Sequence, residues 1–246
     1  MRKVRKALSV LAMAVAIAGG SVLALLLHPQ PLYAYSASHG RLTIHSDRPF
    51  DTDRVQSLLA DVEQRLGAAP GYLRDDAGRY HIFVANSAWR RRLAFLWNYG
   101  AGGVNYYPIG WNVFLRQGDI DRDRLIRENG DTVPEPRTMA YYAAHEIAHT
   151  LIGRRAGVLS NWQLPAWMRE GLADYVGFGG KVDIEALTEA LRRGDPDLDP
   201  KKSGLYARYR LLVAFMLERE LFPVEELLAS GMSIAEAERR LDVSLP

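Results

Sequence analysis

Ala140-Tyr141-Tyr142-Ala143-Ala144-His145-Glu146-Ile147-Ala148-His149-Thr150-Leu151-Ile152 is the stretch from which the rest of the chain can be reasoned. It contains no glycine or proline and is rich in alanine, so it is expected to be helical, with Thr138 as N-cap and Gly153 as stop. Within it lies His-Glu-x-x-His. Positions i and i+4 share a helix face, so His145 and His149 can turn both imidazoles toward one metal ion. Glu146 lies about 100° further round the helix. There its carboxylate can take a proton from bound water rather than become a ligand. Histidines one turn apart also occur on ordinary amphipathic helices, and a catalytic zinc site wants a third protein ligand.

Spacing narrows where that ligand comes from. A metzincin would continue with glycine and histidine three and six residues after the second histidine, but Ile152 and Arg155 stand there. The inverted order His-x-x-Glu-His is absent. A glutamate on a second helix remains, and Glu170 follows His149 by 21 residues in Leu164-Pro165-Ala166-Trp167-Met168-Arg169-Glu170-Gly171-Leu172-Ala173-Asp174-Tyr175. Pro165 and Ala166 open a helix that puts Glu170 and Asp174 on one face. Glu170 can then ligate while Asp174 accepts a hydrogen bond from the other ring nitrogen of a ligating histidine, fixing its tautomer.

His145-Glu146-x-x-His149 followed by Trp-x-x-Glu-Gly-x-Ala-Asp-Tyr resembles the gluzincin zinc metallopeptidases, the thermolysin-like and aminopeptidase-like branch, over about residues 138–177. The resemblance implies zinc held by His145, His149 and Glu170, with Glu146 as general base and Asp174 orienting a histidine, His145 by preference. It also implies that a tyrosine opening a later helix steadies the oxyanion. Tyr206 resembles that residue by its place before the apolar run Leu211–Leu217, with Tyr209 one turn on as competitor and a packing role open for either. The reaction implied is hydrolysis of a peptide bond by zinc-bound water, on a peptide or protein substrate. Two other readings stand beside it: a zinc hydrolase of non-peptide amides or esters, and a non-catalytic binding or assembly protein braced by the metal.

Residues 1–6 carry Arg2, Lys3, Arg5 and Lys6, and residues 7–27 are apolar apart from Ser9, Gly19, Gly20 and Ser21. That length approaches what a bilayer requires and exceeds a usual signal-peptide core. The cations predict a cytoplasmic N-terminus. We therefore expect a single-pass signal-anchor with the remainder extracytoplasmic, or a secreted protein if cleavage occurs near Leu32-Tyr33-Ala34. The chain is +2 overall, so beyond these four cations the remainder is about −2; the basic pI reflects targeting and gives no nucleic-acid footprint. Without cysteine there are no disulfides, thiolate ligands or Cys nucleophile.

Residues 28–40 read as a linker, and 41–246 as one metallopeptidase-like domain large enough for a real core. Arg41–Ser46 alternates as a strand, Asp51-Thr52-Asp53 starts a helix running to Leu66, Tyr80–Ala85 is a buried strand, and Ser87 caps a helix through Trp97. The expected class is α+β: a small mixed sheet, then a mainly helical half, zincin-like, with the cleft between them. The Gly- and aromatic-rich segment from Tyr99, leading to a strand at Trp111–Leu115, resembles the substrate-flanking edge strand of gluzincins; an ordinary hairpin is the alternative. His45 and His81 are expected to be satisfied core or edge residues, Arg90-Arg91-Arg92 a solvated helix face, and Asp119-x-Asp121-x-Asp123 a charged turn rather than a calcium loop, since Arg124 and Gly130 break that motif.

Overall fold

The computed structural model describes residues 2–75 and 77–243. Its class is α+β. Helix α1 (Arg2–Leu27) leads into β1 (Tyr35–His39), β2 (Leu42–Ser46), α2 (Thr52–Gly67), β3 (Tyr80–Val84), α3 (Ala88–Phe95), β4 (Gly103–Asn105) and β5 (Val113–Leu115). A two-stranded hairpin, β6 (Gly118–Asp119) and β7 (Arg124–Leu125), closes this half. From there the chain is helical: α4 (Met139–Ala156), α5 (Val158–Gln163), α6 (Ala166–Gly177), α7 (Ile184–Arg192), α8 (Pro200–Ser203), α9 (Ala207–Ala214) running into a π-helical turn at Phe215–Arg219, α10 (Val224–Ala229) and α11 (Ile234–Val243).

The five-stranded sheet has the order β1-β2-β3-β5-β4, with β2, β3 and β5 parallel and both outer strands antiparallel to their neighbours. Alternation sets its two faces. Leu42, Ile44, Ile82, Val84, Val113 and Leu115 point into the main core, against Val55, Leu59 and Val62 of α2 and Ala144, Ile147 and Leu151 of α4. Each fully buried aliphatic side chain contributes roughly 1.5–3 kcal/mol. Phe83, Phe114 and Val104 point the other way, into a smaller cluster with Tyr33, Ala94 and Phe95. α4 is buried nearly all round, thirteen of its residues being inaccessible, which explains its alanine content: small side chains let sheet and helices approach from several sides.

Three sequence expectations change. The stretch read as linker, 28–40, holds a 3-10 turn and β1, which pairs with β2 from Tyr35–Ser46 to His39–Leu42; its weak apolar pattern reflects its place at a sheet edge. Gly153 does not stop α4, which runs on to Ala156 and ends at Gly157 with φ 83°. Gly153 is instead where the Tyr107 ring packs against the helix, leaving no room for a Cβ. Thr138 does cap the helix, its Oγ1 accepting from the Tyr141 amide. Third, the edge strand on this side of the sheet is β4, inside the glycine-rich segment; β5, the strand that follows, lies between β3 and β4.

The Asp119–Asp123 segment is a turn whose carboxylates diverge: Asp119 accepts from the Arg122 amide, Asp121 from Asp51, and Asp123 from Ala140 in the first turn of α4. His45 and His81 face one another across β2 and β3, 3.0 Å from Nε2 to Nδ1, with His45 stacked on Phe83 at 4.5 Å. Burial, helped by the neighbouring His81, pushes the His45 imidazole from 6.5 down to about 4. The folded state therefore takes up fewer protons than the unfolded chain between those values, and folding stability declines as pH falls from about 6.5 toward 4. His45→Phe removes this contribution. Comparing melting temperatures at about pH 7.5 and about pH 5 should show the variant gaining on the parent at the lower pH; an unchanged difference would refute the assignment.

Candidate metal centre

His145 and His149 project from successive turns of α4, and Glu170 comes from α6, which packs between α4 and α9. The close fit of α6 is visible at Gly171, where an added Cβ would lie 2.6 Å from the Tyr209 carbonyl oxygen of α9. A side chain there would lever Glu170 away from the histidines. As placed, His145 Nε2 is 3.2 Å from His149 Nε2 and 3.7 Å from Glu170 Oε2, and His149 Nε2 is 3.4 Å from the same oxygen. Ligands about 2.0–2.2 Å from a tetrahedral ion stand about 3.3–3.6 Å apart. The triangle of ligand atoms has that size, so these three residues can hold a metal ion, and they form the one such group among the described residues.

Glu146 is buried beside this group but outside it. No described residue donates a hydrogen bond to its carboxylate, and a Cβ on Gly103 of β4 would lie 2.7 Å from its Cγ. Burial pushes the Glu146 carboxyl up to about 7; nearby His149 opposes the shift and Glu170 adds to it. Glu170 goes the other way. Burial raises it, but the imidazoles of His149 and His145 outweigh that and hold it well below the usual carboxylate range.

Asp174 lies behind His145, fully buried, with Oδ1 3.8 Å from His145 Nδ1. That separation exceeds a hydrogen bond. The carboxylate instead accepts from the Tyr141 hydroxyl at Oδ1 and from Arg210 Nη1 at 2.8 Å, leaving His145 Nδ1 without a hydrogen-bond partner among the described residues. The expectation that Asp174 hydrogen-bonds a histidine thus gives way to a shared one: Asp174 sits at the right ring nitrogen but is claimed by Tyr141 and Arg210. Tyr206 stands at the start of α9, stacked on His145 with centroids 6.0 Å apart and planes at 12°. Burial, with the carboxylates of Glu170 and Glu146 nearby, pushes its hydroxyl up to about 12, so it stays protonated and able to donate. Tyr209 stacks behind Tyr206 at 5.9 Å and is not among the residues facing the cleft.

The group lies in a cleft of about 580 Å³ between β4 and the helices. Sequence reasoning missed Arg137, Asn161 and Arg169 in its walls, and Gly103 on its floor. It also missed Arg210, although an arginine directly before Leu211-Leu212-Val213 was a signal that a buried carboxylate would be found for it. Glu170→Ala removes one corner of the triangle. After dialysis the parent should retain one divalent ion per chain and the variant none, as read by elemental analysis; stoichiometric metal in the variant would take Glu170 out of the ligand set.

Compared with known protein families, curated proteins and solved structures, the chain shows no match.

Proposed function

We propose that this chain is a zinc-dependent peptidase of the gluzincin type, held at a membrane by α1 with its catalytic domain on the extracytoplasmic side. The observation that supports this most is the triangle of His145, His149 and Glu170 opening on a cleft, with an unliganded glutamate beside it. A purely structural zinc site is closed by four protein ligands and needs no base. Here three ligands gather, and Glu146 stands free at their side.

Zinc in this position supplies Lewis acidity, polarising a carbonyl and making water easier to deprotonate. The protein's own groups do the rest. Glu146, with its carboxyl near neutrality, takes a proton from the attacking water and passes it to the departing amine. Tyr206, kept protonated, offers its hydroxyl to the oxygen that gains negative charge. The outer edge of β4 gives an extended peptide backbone partners, and Gly103 lets the Glu146 side chain lie close against that strand. The N-terminal helix includes Leu8–Leu27, long and apolar enough to cross a bilayer or to act as a signal sequence.

Glu146→Gln should keep zinc and lose about 10²–10⁴-fold in turnover on a diverse peptide pool. Substantial activity in that variant would refute the base assignment, and a parent that holds zinc but cleaves no peptide would leave the non-peptide hydrolase and the metal-braced protein as the readings. Tyr206→Phe should lower kcat by about 10²-fold with little change in KM, whereas Tyr209→Phe leaves kcat near the parent; the reverse order would exchange their roles.

A further inference from the structure

The last turn of α1 is built into the domain. Asn112 Nδ2 donates to the carbonyls of Leu26 and Leu27, Leu26 packs on the cluster of Phe83, Phe95 and Phe114, and a Cβ on Gly110 would lie 3.1 Å from Leu27 Cδ2. Length then becomes informative. Leu8–Leu27 is 20 residues, about 30 Å at 1.5 Å per residue, which is one hydrocarbon thickness. Leaving out the docked turn shortens the apolar segment to well under that thickness. Spanning therefore brings Leu26 and Leu27 to the hydrocarbon boundary, together with the loop hydrogen-bonded to them.

That loop and the neighbouring α3 carry what an interface selects. Ile109 and Trp111, on either side of Gly110, are 58% and 43% exposed, Trp111 with the Arg154 guanidinium over its ring at 4.5 Å; Trp89 in the first turn of α3, with Arg90 over its ring, and Trp97, two residues past the end of α3, are 51% and 80% exposed. Arg92 on α3 is exposed with no carboxylate within 4.0 Å among the described residues. Bulky apolar side chains left in water cost free energy unless something covers them, and tryptophan beside free cations is the composition of a headgroup layer. Resting on the reading of α1 as a retained anchor, we infer that Ile109, Trp111, Trp97 and Arg92 form a face that docks on the bilayer surface crossed by α1. The Arg90-Arg91-Arg92 run divides accordingly: Arg90 pairs with Asp47, Arg91 lies 3.8 Å from Glu128, and Arg92 is left for lipid phosphate.

The same loops form the rim of the cleft. Asn98 follows Trp97, and Tyr107 precedes Ile109 by two residues; both line the cleft. Docking sets the cleft mouth at the headgroups, within first reach of polypeptide emerging from the same leaflet. The substrate class this favours is the juxtamembrane segment of a membrane-held protein rather than a freely diffusing peptide.

Because the chain has no cysteine, single labels can test this on the full-length protein. Ile109→Cys, Trp97→Cys and, on the far side of the sheet, Glu226→Cys each receive an environment-sensitive NBD group. They are then reconstituted into phosphatidylcholine–phosphatidylglycerol vesicles and floated through urea. The expected result is flotation of all three, with a blue shift and a several-fold rise in emission at 109 and 97 and water-like emission at 226. Flotation with water-like emission at both 109 and 97 overturns the docking and leaves the anchor standing. A shift of equal size at 226 overturns it too, since the contact would not be confined to this face. Failure to float overturns the anchor reading and the docking with it. Two independent labelled positions keep the result readable if one variant misfolds.

Discussion

One buried carboxylate joins the three helices on which the site depends. Asp174 of α6 accepts from Tyr141 of α4 and Arg210 of α9, and the Arg210 guanidinium in turn lies 3.6 Å from the centroid of the Phe178 ring. A fully buried ion pair adds little net stability, because desolvation offsets the attraction. Its weight appears in the alternative: stranding one partner costs about 3–5 kcal/mol, so any shift of α6 along α4 is penalised steeply. The register that satisfies Asp174 is also the register that brings Glu170, one turn earlier, to the two imidazoles. The polar hub specifies the geometry of the metal centre more than it stabilises the domain.

Charge in the cleft is arranged around the same requirement. Two carboxylates lie within a few ångströms of the imidazoles, yet burial and neighbours drive them apart in acidity: Glu170 is held ionised and Glu146 is raised toward neutrality. Environment thus separates the two side chains in acidity although they are chemically the same group. Beyond these acids the charged side chains in the walls are Arg137 and Arg169. Close packing makes this possible. Gly103 and Gly171 are positions where a single added carbon would meet Glu146 or the backbone of α9.

The two faces of the sheet divide the labour. One face carries the main core and the helices that present His145, His149 and Glu170. The other carries a small aromatic cluster that receives the end of α1 and supports α3 and the loop before β5. β4 and its loops belong to both regions: Asn112 holds the end of α1, while Gly103, Val104 and Asn105 line the cleft.

The sequence by itself determined the helix that carries His145 and His149, its Thr138 cap, the second helix with Glu170, the α+β class and the apolar N-terminal helix. These are local properties, since helical periodicity and capping act over one or two turns and were written in adjacent residues. Tertiary structure alone decided that Asp174 answers to Tyr141 and Arg210, that Tyr206 rather than Tyr209 faces the cleft, that β4 is the edge strand, that 35–39 is a strand and not a linker, and that Gly153 makes room for Tyr107 instead of ending a helix. Each of those depends on which distant side chain arrives at a given surface. Short strands and single glycines carry too little local free energy to announce that, and only the packed chain fixes it.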